Sequence, residues 1–468
     1  MQITANIDEN IKNIEEYLHI EQNFDLIFRE FYIGPQKAAL YFVDGTGDTT
    51  VMTEMMKFFM SNNGVPQNQP FDSQKFTEHF LPFGEIVKQP DFEKAATAIL
   101  AGMFVLFIDQ ITDAYIIDAK SFPQRDVGEP DKDKVIRGSR DGFVEIPVFN
   151  AALIRRRIRD PNLILEAVEV GEQSKSQVVM CYIKGKCDEV FLDKLHGKLK
   201  NMKVQALTMN QETLAEHLIK PKWYNPYPQF RYSERPDTTS AAILQGSIVI
   251  LTDNSPAAMI LPSKFIDFFN EANDYYFPPM TGCYFRIVRL MVALLSFLLT
   301  PLWLTVSYHP EIVPEALKFV LISDPVPTPL WLQLLIIDFV FEAMRISSIN
   351  TPSSLGNAMS IVGALLVGDF AVKSGWMSSE TVFYMAFISV AMYVQPNFEL
   401  GYALKFFRIF LIIMIAFLDY WGLFIGLVVI ALISASTRTV EGRGYFFPIL
   451  PLNIKQFFGY LGRGRLRR

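Results

Sequence analysis

Asp338, Glu342 and Arg345 are the ionisable residues of an otherwise apolar segment, LWLQLLIIDFVFEAMRI, at residues 330–346. Their spacing of i, i+4 and i+7 places all three on one face of a helix. Because an unpaired ionised group among apolar side chains is costly, we predict that Glu342 and Arg345 form an ion pair with Asp338 nearby. Such a set either locks helices together or lies on an ion pathway, and the spacing leaves both roles open.

A second candidate set is a stripe of small and weakly polar residues in the next apolar segment, 351–372. The stripe recurs at i, i+4, i+7 and i+11 and consists of Ser353, Asn357, Ser360 and Ala364. It permits close packing of helices in lipid. In a ring of subunits it would instead line a water path that apolar side chains such as Val367 narrow. Both uses are open from the sequence.

Six arginines lie within residues 137–163, between the two halves of the N-terminal region. They are Arg137, Arg140, Arg155, Arg156, Arg157 and Arg159. Planar guanidinium groups in such a cluster can clamp phosphate or anionic lipid. Because the surrounding region is net acidic, we favour salt bridges between subdomains or between neighbouring chains of an oligomer.

The motifs of common catalytic sites do not occur in this sequence. It contains no GxxxxGK[ST] loop, HExxH helix, GxSxG elbow or GxGxxG fingerprint, and its five histidines lack ligand spacing. Cys181, Cys187 and Cys283 form no CxxC pair, which favours reduced thiols over a disulfide framework or a zinc site. We therefore expect no catalytic residue, no metal and no cofactor, and a function other than that of an enzyme.

Charge divides the 468 residues into two parts. Residues 1–284 hold 29 Lys and Arg against 39 Asp and Glu, whereas residues 285–468 hold 14 against 10. An acidic, charge-rich front and an apolar back indicate a water-soluble module followed by a membrane module. We expect no nucleic-acid partner for the acidic front. Because the sequence starts without an apolar signal region, we also expect the front to stay in the cytoplasm.

The back contains apolar segments long enough to cross a bilayer as helices. The predicted spans are 290–308, 330–346, 351–372 and 381–394. The run 409–437 is too long for one ordinary span and too short for two complete ones. We therefore predict a polytopic, all-α transmembrane domain that ends in a hairpin or a broken helix pair, with a turn between Asp419 and Gly422.

Positive charges predict the orientation of these spans. Arg286 and Arg289 precede the first span, and Lys405 and Arg408 follow the fourth. Residues 438–468 hold seven Lys and Arg against one Glu. Because Lys and Arg concentrate on the cytoplasmic side of membrane proteins, we expect both termini in the cytoplasm.

The N-terminal region contains a degenerate repeat, which predicts two similar α/β subdomains. KAALYFVDG at residues 37–45 is echoed by QVVMCYIKG at 177–185. AILAG at 98–102 and AILQG at 242–246 each precede a strand hairpin, at a constant offset of 144 residues. The predicted domains are subdomain 1 (1–136), an Arg-rich connector (137–175), subdomain 2 (176–284), the transmembrane domain (285–437) and a basic cytoplasmic tail (438–468).

Three long blocks of the sequence resemble the GerA family of spore germinant receptors, in its A-subunit branch. They are RGSRDGFVE with NAALIRRRIRDPNL after it, PYPQFRYSERPD at 226–237, and MRISSINTPSSLGNAMSIVGALLVGDFAVKSG at 344–375. Gln110 stands where the resemblance implies Gly. The resemblance implies residence in the inner membrane of a dormant spore and a ring whose membrane helices form a cation-conducting path. It also implies a second membrane subunit that recognises nutrients.

The function expected from these features is that of an oligomeric ion channel, or channel component, of a germination complex in the lipid bilayer. Residues 1–284 would form a cytoplasmic assembly and gating collar, and the stripe would gate the ring by dewetting. A secondary transporter is a second possibility, favoured by the intramembrane charged set and the broken final helices. A non-conducting scaffold that assembles with partner subunits is the third.

Overall fold

The computed structural model describes residues 2–61, 86–119, 135–220, 222–323, 326–350, 363 and 366–461. The chain forms two compact units. The first comprises Met1–Lys220 and Phe230–Pro262, and the second comprises Pro221–Gln229 and Ser263–Arg468. The first unit has an α/β structure, and the second is helical.

A five-stranded antiparallel sheet forms the first half of the α/β unit, with the strand order β1-β2-β4-β5-β3. Its elements are α1 (Ile7–Leu18), β1 (Leu26–Ile33), β2 (Gln36–Val43), α2 (Thr49–Met60), β3 (Ile86–Gln89), α3 (Phe92–Leu100), β4 (Phe104–Ile108) and β5 (Ala114–Ile117). Successive side chains of a strand point to opposite faces of the sheet. Val105 and Phe107 therefore pack with α1 and α3 on one face, and Leu106 packs with α2 on the other. Burial of both faces explains the unbroken apolar run of β4.

A second five-stranded antiparallel sheet follows, with the strand order β6-β7-β9-β10-β8. Its elements are α4 (Pro147–Arg157), β6 (Leu163–Val170), β7 (Ser176–Ile183), α5 (Glu189–Lys200), α6 (Gln211–Leu218), β8 (Arg231–Ser233), α7 (Pro236–Leu244), β9 (Ile248–Thr252) and β10 (Ala258–Leu261). The order of strands and helices matches that of the first half, with α6 as an addition.

The two halves also agree in their element boundaries. A shift of 140 residues carries β2 and α2 onto β7 and α5, and a shift of 144 carries β4 and β5 onto β9 and β10. Side-chain contacts repeat as well, because Asn10 Nδ2 donates to the carbonyl of Thr4 and Asn150 Nδ2 donates to that of Val144, both at 2.6 Å. The prediction of an α/β region built from two similar halves is therefore confirmed.

The predicted start of the second half is wrong. Segment 137–175, expected to be a connector, contains α4 and the edge strand β6. Pro147 is the first residue of α4, a position where the missing N–H of proline has no helical partner to lose. β6 pairs with β7 over eight residues, from Leu163 opposite Ile183 to Val170 opposite Ser176. The cluster of arginines drew attention away from the apolar run that begins this strand.

The helical unit consists mainly of long apolar helices. They are α8 (Pro279–Tyr308), α9 (Leu330–Asn350), α10 (Ser379–Val394), α11 (Phe398–Leu418), α12 (Tyr420–Ser436) and α13 (Ile454–Leu461). Shorter turns of helix lie at Phe265–Phe269, Asn273–Tyr276, Pro310–Ile312, Glu315–Val320, Leu366–Phe370 and Ala371–Lys373. α11 packs lengthwise against both α8 and α12. It begins at Phe398, 11 residues before the start of the apolar run that the sequence analysis used.

The connection between α11 and α12 is a single residue, Asp419. Its φ of 54° lies in the left-handed region, which residues with a side chain rarely adopt. The two helices then pass close to each other, because a Cβ at Gly422 would lie 2.1 Å from the carbonyl oxygen of Met414. Glycine at this position therefore allows the tight reversal.

Large apolar side chains cover much of the outside of the helical unit. Exposed examples from five helices are Leu294, Phe339, Phe383, Phe417 and Phe424. Within the described ranges, α8 and α11 are long and apolar enough to cross a bilayer by length and composition, and α10 and α12 are shorter apolar helices. Monomeric soluble proteins rarely expose so much apolar surface. The surface therefore indicates contact with lipid or with another apolar surface.

Gln110 and Asn254 occupy equivalent turns, 144 residues apart, and both have a positive φ, of 66° and 59°. This backbone conformation disfavours most side chains by about 1–2 kcal/mol, whereas glycine adopts it freely. We therefore expect Gln110→Gly to raise the free energy of unfolding of the full-length protein by about 1 kcal/mol, as measured by chemical denaturation in detergent. Asn254→Gly is the matched control, and its gain should be smaller because Asn tolerates this region. A destabilised Gln110→Gly protein would contradict the expectation.

Candidate functional site: a buried ion network in the helical unit

Side chains from α9 and α11 meet in a buried ion network inside the helical unit. Lys405 Nζ lies 3.1 Å from Asp338 Oδ2 and 2.6 Å from Glu342 Oε2, so one ammonium group bridges two carboxylates. Arg408 Nη2 donates a hydrogen bond to Asp338 Oδ1. Arg408 is only 1% exposed and Lys405 is 6% exposed. These four ionised groups therefore neutralise one another where little water reaches them.

The edge of the network is more open and includes aromatic rings. The Tyr402 hydroxyl donates to Glu342 Oε1 at 2.7 Å. Arg345 Nη2 lies 3.7 Å from Glu342 Oε2, and its guanidinium group stands over the rings of Tyr393 and Tyr402, 5.7 Å and 5.5 Å from their centroids. Because an aromatic face attracts a cation, these rings add to the weak contact with Glu342.

Arg408 also connects the network to α8. Its Nη1 donates to the backbone carbonyl of Ser296 at 3.1 Å. Pro301 lies inside α8, five residues after Ser296. Proline has no N–H to offer the carbonyl of Phe297 and disturbs the preceding turn. This loosened turn presents a backbone oxygen to Arg408, which thereby contacts three helices.

The three charged residues predicted on α9 belong to this network, but their main partners are different from those expected. The predicted pair between Glu342 and Arg345 is the longest contact, and the shorter ones come from α11. Lys405 and Arg408 were expected on a cytoplasmic flank, and Tyr402 was not predicted at all. The i, i+3, i+6 spacing of these three residues of α11 is the signal that would have indicated a common face.

The residues predicted to line a water path cannot be compared with this geometry. Ser353, Asn357, Ser360 and Ala364 lie outside the residues that the structure describes. Val367 is described only through its backbone, in the π-helical turn Leu366–Phe370. A pore-lining role for this set stays a prediction.

Two of the six clustered arginines form ion pairs in the α/β unit. Arg155 donates from Nε and Nη2 to the two carboxylate oxygens of Asp25, both at 3.1 Å, and both residues are buried. Because Asp25 precedes β1 and Arg155 lies on α4, this pair joins the two halves of the unit. Arg157 pairs with Asp141. The exposed members of the cluster are Arg137, Arg140, Arg156 and Arg159.

A second buried ion network lies at the start of α8. Asp274 is fully buried and accepts hydrogen bonds from Arg286 Nε, at 3.0 Å, and from Arg289 Nη2. Glu271 lies 3.2 Å from Arg289 Nη1. Arg286 Nη1 also donates to the backbone carbonyl of Tyr460 in α13, at 2.6 Å. The start of α8 and the helix α13 are therefore held at the same end of the unit.

His309 follows the last residue of α8 and contacts the turn between α11 and α12. Its Nε2 lies 2.9 Å from Asp419 Oδ2, and its Nδ1 lies 3.1 Å from Glu311 Oε1. The hydrogen bond with Asp419, followed by that with Glu311, raises the pKa of His309 above its ordinary value. The protonated histidine therefore connects the end of α8 to the reversal at Asp419.

The described ranges contain no group of three or more His, Cys, Asp or Glu side chains placed to hold a metal ion. The thiol of Cys181 is buried in the second sheet, and burial raises its pKa. The charged groups in the helical unit thus act on one another, through ion pairs and hydrogen bonds.

These features define a class of protein in which a duplicated α/β module is joined to a unit of apolar helices with paired internal charges. A family model described as Bacillus/Clostridium GerA spore germination protein matches residues 12–467. The chain therefore belongs to the GerA family of spore germination proteins. The resemblance inferred from three sequence blocks is confirmed.

Individual relatives match over most of the chain. Stage V sporulation protein AF of Bacillus subtilis (strain 168) is 30% identical over 463 residues, which cover 99% of this chain and 93% of that protein. Spore germination protein KA of the same organism is 27% identical over 457 residues, which cover 96% and 83%. Among solved structures, the N-terminal domain of the A subunit of the Bacillus megaterium spore germinant receptor GerK3 is 22% identical, with a TM-score of 0.43, and covers 57% of this chain and 98% of that chain. Residues 121–142 also resemble stage V sporulation protein AF in the sequence alone.

Asp338→Asn should strongly destabilise the helical unit, because it leaves Arg408 buried without a carboxylate. Breaking one side of a buried ion pair typically costs about 3–5 kcal/mol. Arg408→Gln should cost less, because Asp338 keeps its contact with Lys405. Chemical denaturation of the full-length protein in detergent measures both free energies of unfolding.

Asp369→Asn is the matched control for this experiment. Asp369 pairs with Lys373 at 2.8 Å on the surface, and exposed pairs contribute at most about 1 kcal/mol. The double variant Asp338→Asn with Arg408→Gln should recover part of the loss, because it removes both charges. Equal effects of Asp338→Asn and Asp369→Asn would show that the network contributes nothing to stability.

The His309 contact should make stability depend on pH. Because the pKa of His309 is raised in the folded state, its contribution is complete below the ordinary histidine pKa of about 6.5 and is lost as the pH rises through the raised value. The melting temperature of the full-length protein should therefore fall more steeply toward alkaline pH than that of His309→Gln. His217→Gln is the control, because exposed His217 contacts the backbone carbonyl of Thr213. Identical pH profiles for the wild type and His309→Gln would exclude the contact.

Proposed function

We propose that this chain is a membrane-embedded subunit of a spore germination complex and that it forms an oligomeric ion channel or a component of one. Its place would be the inner membrane of the spore, in contact with further copies of itself and with a second membrane subunit. Membership of the GerA family supports the role in germination. The relatives named germination proteins, and the solved domain from a germinant receptor A subunit, give the proposal its biological setting.

The observation that carries the proposal is the contrast between the outside and the inside of the helical unit. Its outer surface is apolar, whereas the ionised groups in the middle of α9 and α11 are paired with each other. Lipid excludes unpaired charge, so this distribution suits a bilayer. Exposed tyrosines at the two ends of α8, Tyr284 and Tyr308, are 24 positions apart, or about 36 Å along a helix. Tyrosine favours the two surfaces of a membrane, whose hydrocarbon core is about 30 Å thick.

Contacts between helix ends support the proposed multi-pass topology, with both termini in the cytoplasm. His309, after α8, meets Asp419, between α11 and α12. The backbone N–H of Ser323, before α9, donates to Glu380 at the start of α10 at 3.1 Å. In the proposed topology all four positions lie on the outer side. The contact between Arg286 and α13 would then lie on the cytoplasmic side.

The ion network favours a structural lock over a binding site for a transported ion. Each of its carboxylates already accepts a hydrogen bond from Lys405 or Arg408, so an incoming cation would have to displace a side chain. The lock would hold α9 against α11 and leave the following segment, with Ser353, Asn357 and Ser360, to line the water path. Opening and closing of that path would then occur against a fixed frame.

A secondary transporter is the second candidate. Two carboxylates buried among apolar helices, Asp338 and Glu342, are the kind of group that carries protons or coordinates ions in such proteins. The transporter would require that Lys405 release them during each cycle. Saturable flux through a single subunit would support this candidate, whereas rings that pass no ions would support a scaffold.

Introducing a thiol at Ser360 tests the channel. The full-length protein is reconstituted in liposomes with Cys283→Ser as background, because Cys181 and Cys187 are buried and burial raises their thiol pKa. If Ser360 lines the path, a charged methanethiosulfonate reagent should reduce cation flux through Ser360→Cys. Ser436→Cys is the matched control, since exposed Ser436 lies at the end of α12, and its modification should leave the flux unchanged.

Three results would contradict parts of the proposal. Flux that is present but insensitive to the reagent at Ser360 would remove the pore assignment. Flux from a protein that is monomeric by size measurement would favour the transporter. Rings without flux in the background protein and both cysteine variants would favour the scaffold.

A further inference from the structure

The C-terminal helix α13 has two faces with different surroundings. Tyr460 lies on the inner face and packs against the core of the helical unit, and its backbone carbonyl accepts the hydrogen bond from Arg286 at 2.6 Å. The Arg286 guanidinium group also lies 5.1 Å from the centre of the Tyr460 ring. α13 is therefore fixed against the start of α8 by one face.

The other face of α13 is apolar and exposed. Ile454 is 60% exposed and Phe458, one turn later, is 64% exposed. Leu452, in the turn before the helix, is 66% exposed, and Leu450 is exposed as well. Four large apolar side chains within nine residues thus face outward. A contiguous apolar surface of this kind marks a binding site for another apolar surface.

Charge and position point to one occupant for this surface. Lys455 is exposed beside Ile454, and the sequence continues with Arg463, Arg465, Arg467 and Arg468. Basic residues next to an apolar helical face are typical of helices that lie in the surface of a bilayer with anionic lipids. The contact with Arg286 also places α13 beside the end of α8, where its apolar stretch begins.

We propose that α13 lies in the headgroup region of the membrane, with Ile454 and Phe458 inserted among the acyl chains and Lys455 directed to anionic headgroups. The helix would anchor the chain after its last span, at the level where α8 enters the bilayer. This inference rests on the proposed membrane function and adds a lipid-binding surface to it. A rotation of 100° per residue places Gln456 nearly opposite the Ile454 and Phe458 face, so its side chain would stay out of lipid.

A fluorescent label on α13 tests the proposal. Full-length Phe458→Cys in the Cys283→Ser background is labelled with an environment-sensitive dye and reconstituted in phosphatidylcholine vesicles with or without phosphatidylglycerol. We expect blue-shifted emission at position 458, quenching by nitroxide lipids rather than by aqueous iodide, and a larger lipid effect when phosphatidylglycerol is present. Gln456→Cys is the matched control on the same helix, and its label should be quenched by iodide.

A label at Leu294→Cys separates this proposal from the proposed membrane function. Leu294 is exposed on α8, and its label should be quenched by nitroxide lipids in both vesicle types. If that holds while iodide quenches position 458 as well as 456, α13 lies in water and the inference is wrong. If neither quencher reaches position 458, protein covers the face and the inference is also wrong. Failure of lipid quenching at Leu294 would instead contradict the insertion of α8.

Discussion

The helical unit depends on neutralising a guanidinium group that water scarcely reaches. Arg408 lies near the middle of α11, and Asp338 on α9 supplies its carboxylate. Removing either charge alone leaves the other exposed to a low dielectric, which penalises any separation of the two helices. Lys405 extends this coupling, because it contacts both Asp338 and Glu342. The network therefore fixes which faces of α9 and α11 meet, a choice that apolar contacts alone would leave less specific.

The same physical principle holds the two halves of the α/β unit together, but only once. Arg155 and Asp25 form a buried pair between the halves, yet the shifts that relate the repeats place Glu15 at the position of Arg155 and Asn162 at that of Asp25. The duplicated copy thus lacks both charges. A backbone contact is lost as well, because Phe24 donates its N–H to the carbonyl of Leu165 and its counterpart is Pro161, which has no N–H. The junction between halves therefore has features that neither half repeats on its far side.

The sequence predicted features that depend on local pattern and missed those that depend on packing. The repeat was visible because strands and the turns after them keep their residue types and spacing, as at Gly45 and Gly185. The charged face of α9 was predictable for the same reason. The partner of Asp338 was not, because Arg408 lies 70 residues away and only the packing of α9 on α11 brings them together. α4 and β6 were missed because charge in their neighbourhood outweighed a pattern that only pairing with β7 makes decisive.

The network also resolves a difficulty with the length of the last apolar run. Counted from residue 409 to 437, the run is too short for two complete helices, because Lys405 and Arg408 were treated as the polar end of a loop. Both charges are paired inside the unit, so the helix continues through them without exposing them to an apolar environment. α11 thereby gains the residues from Phe398 onward and reaches 21 residues, and α12 provides another 17. A paired charge within a helix is thus no boundary, and in the proposed topology the loop after α10 shrinks to three residues, 395–397.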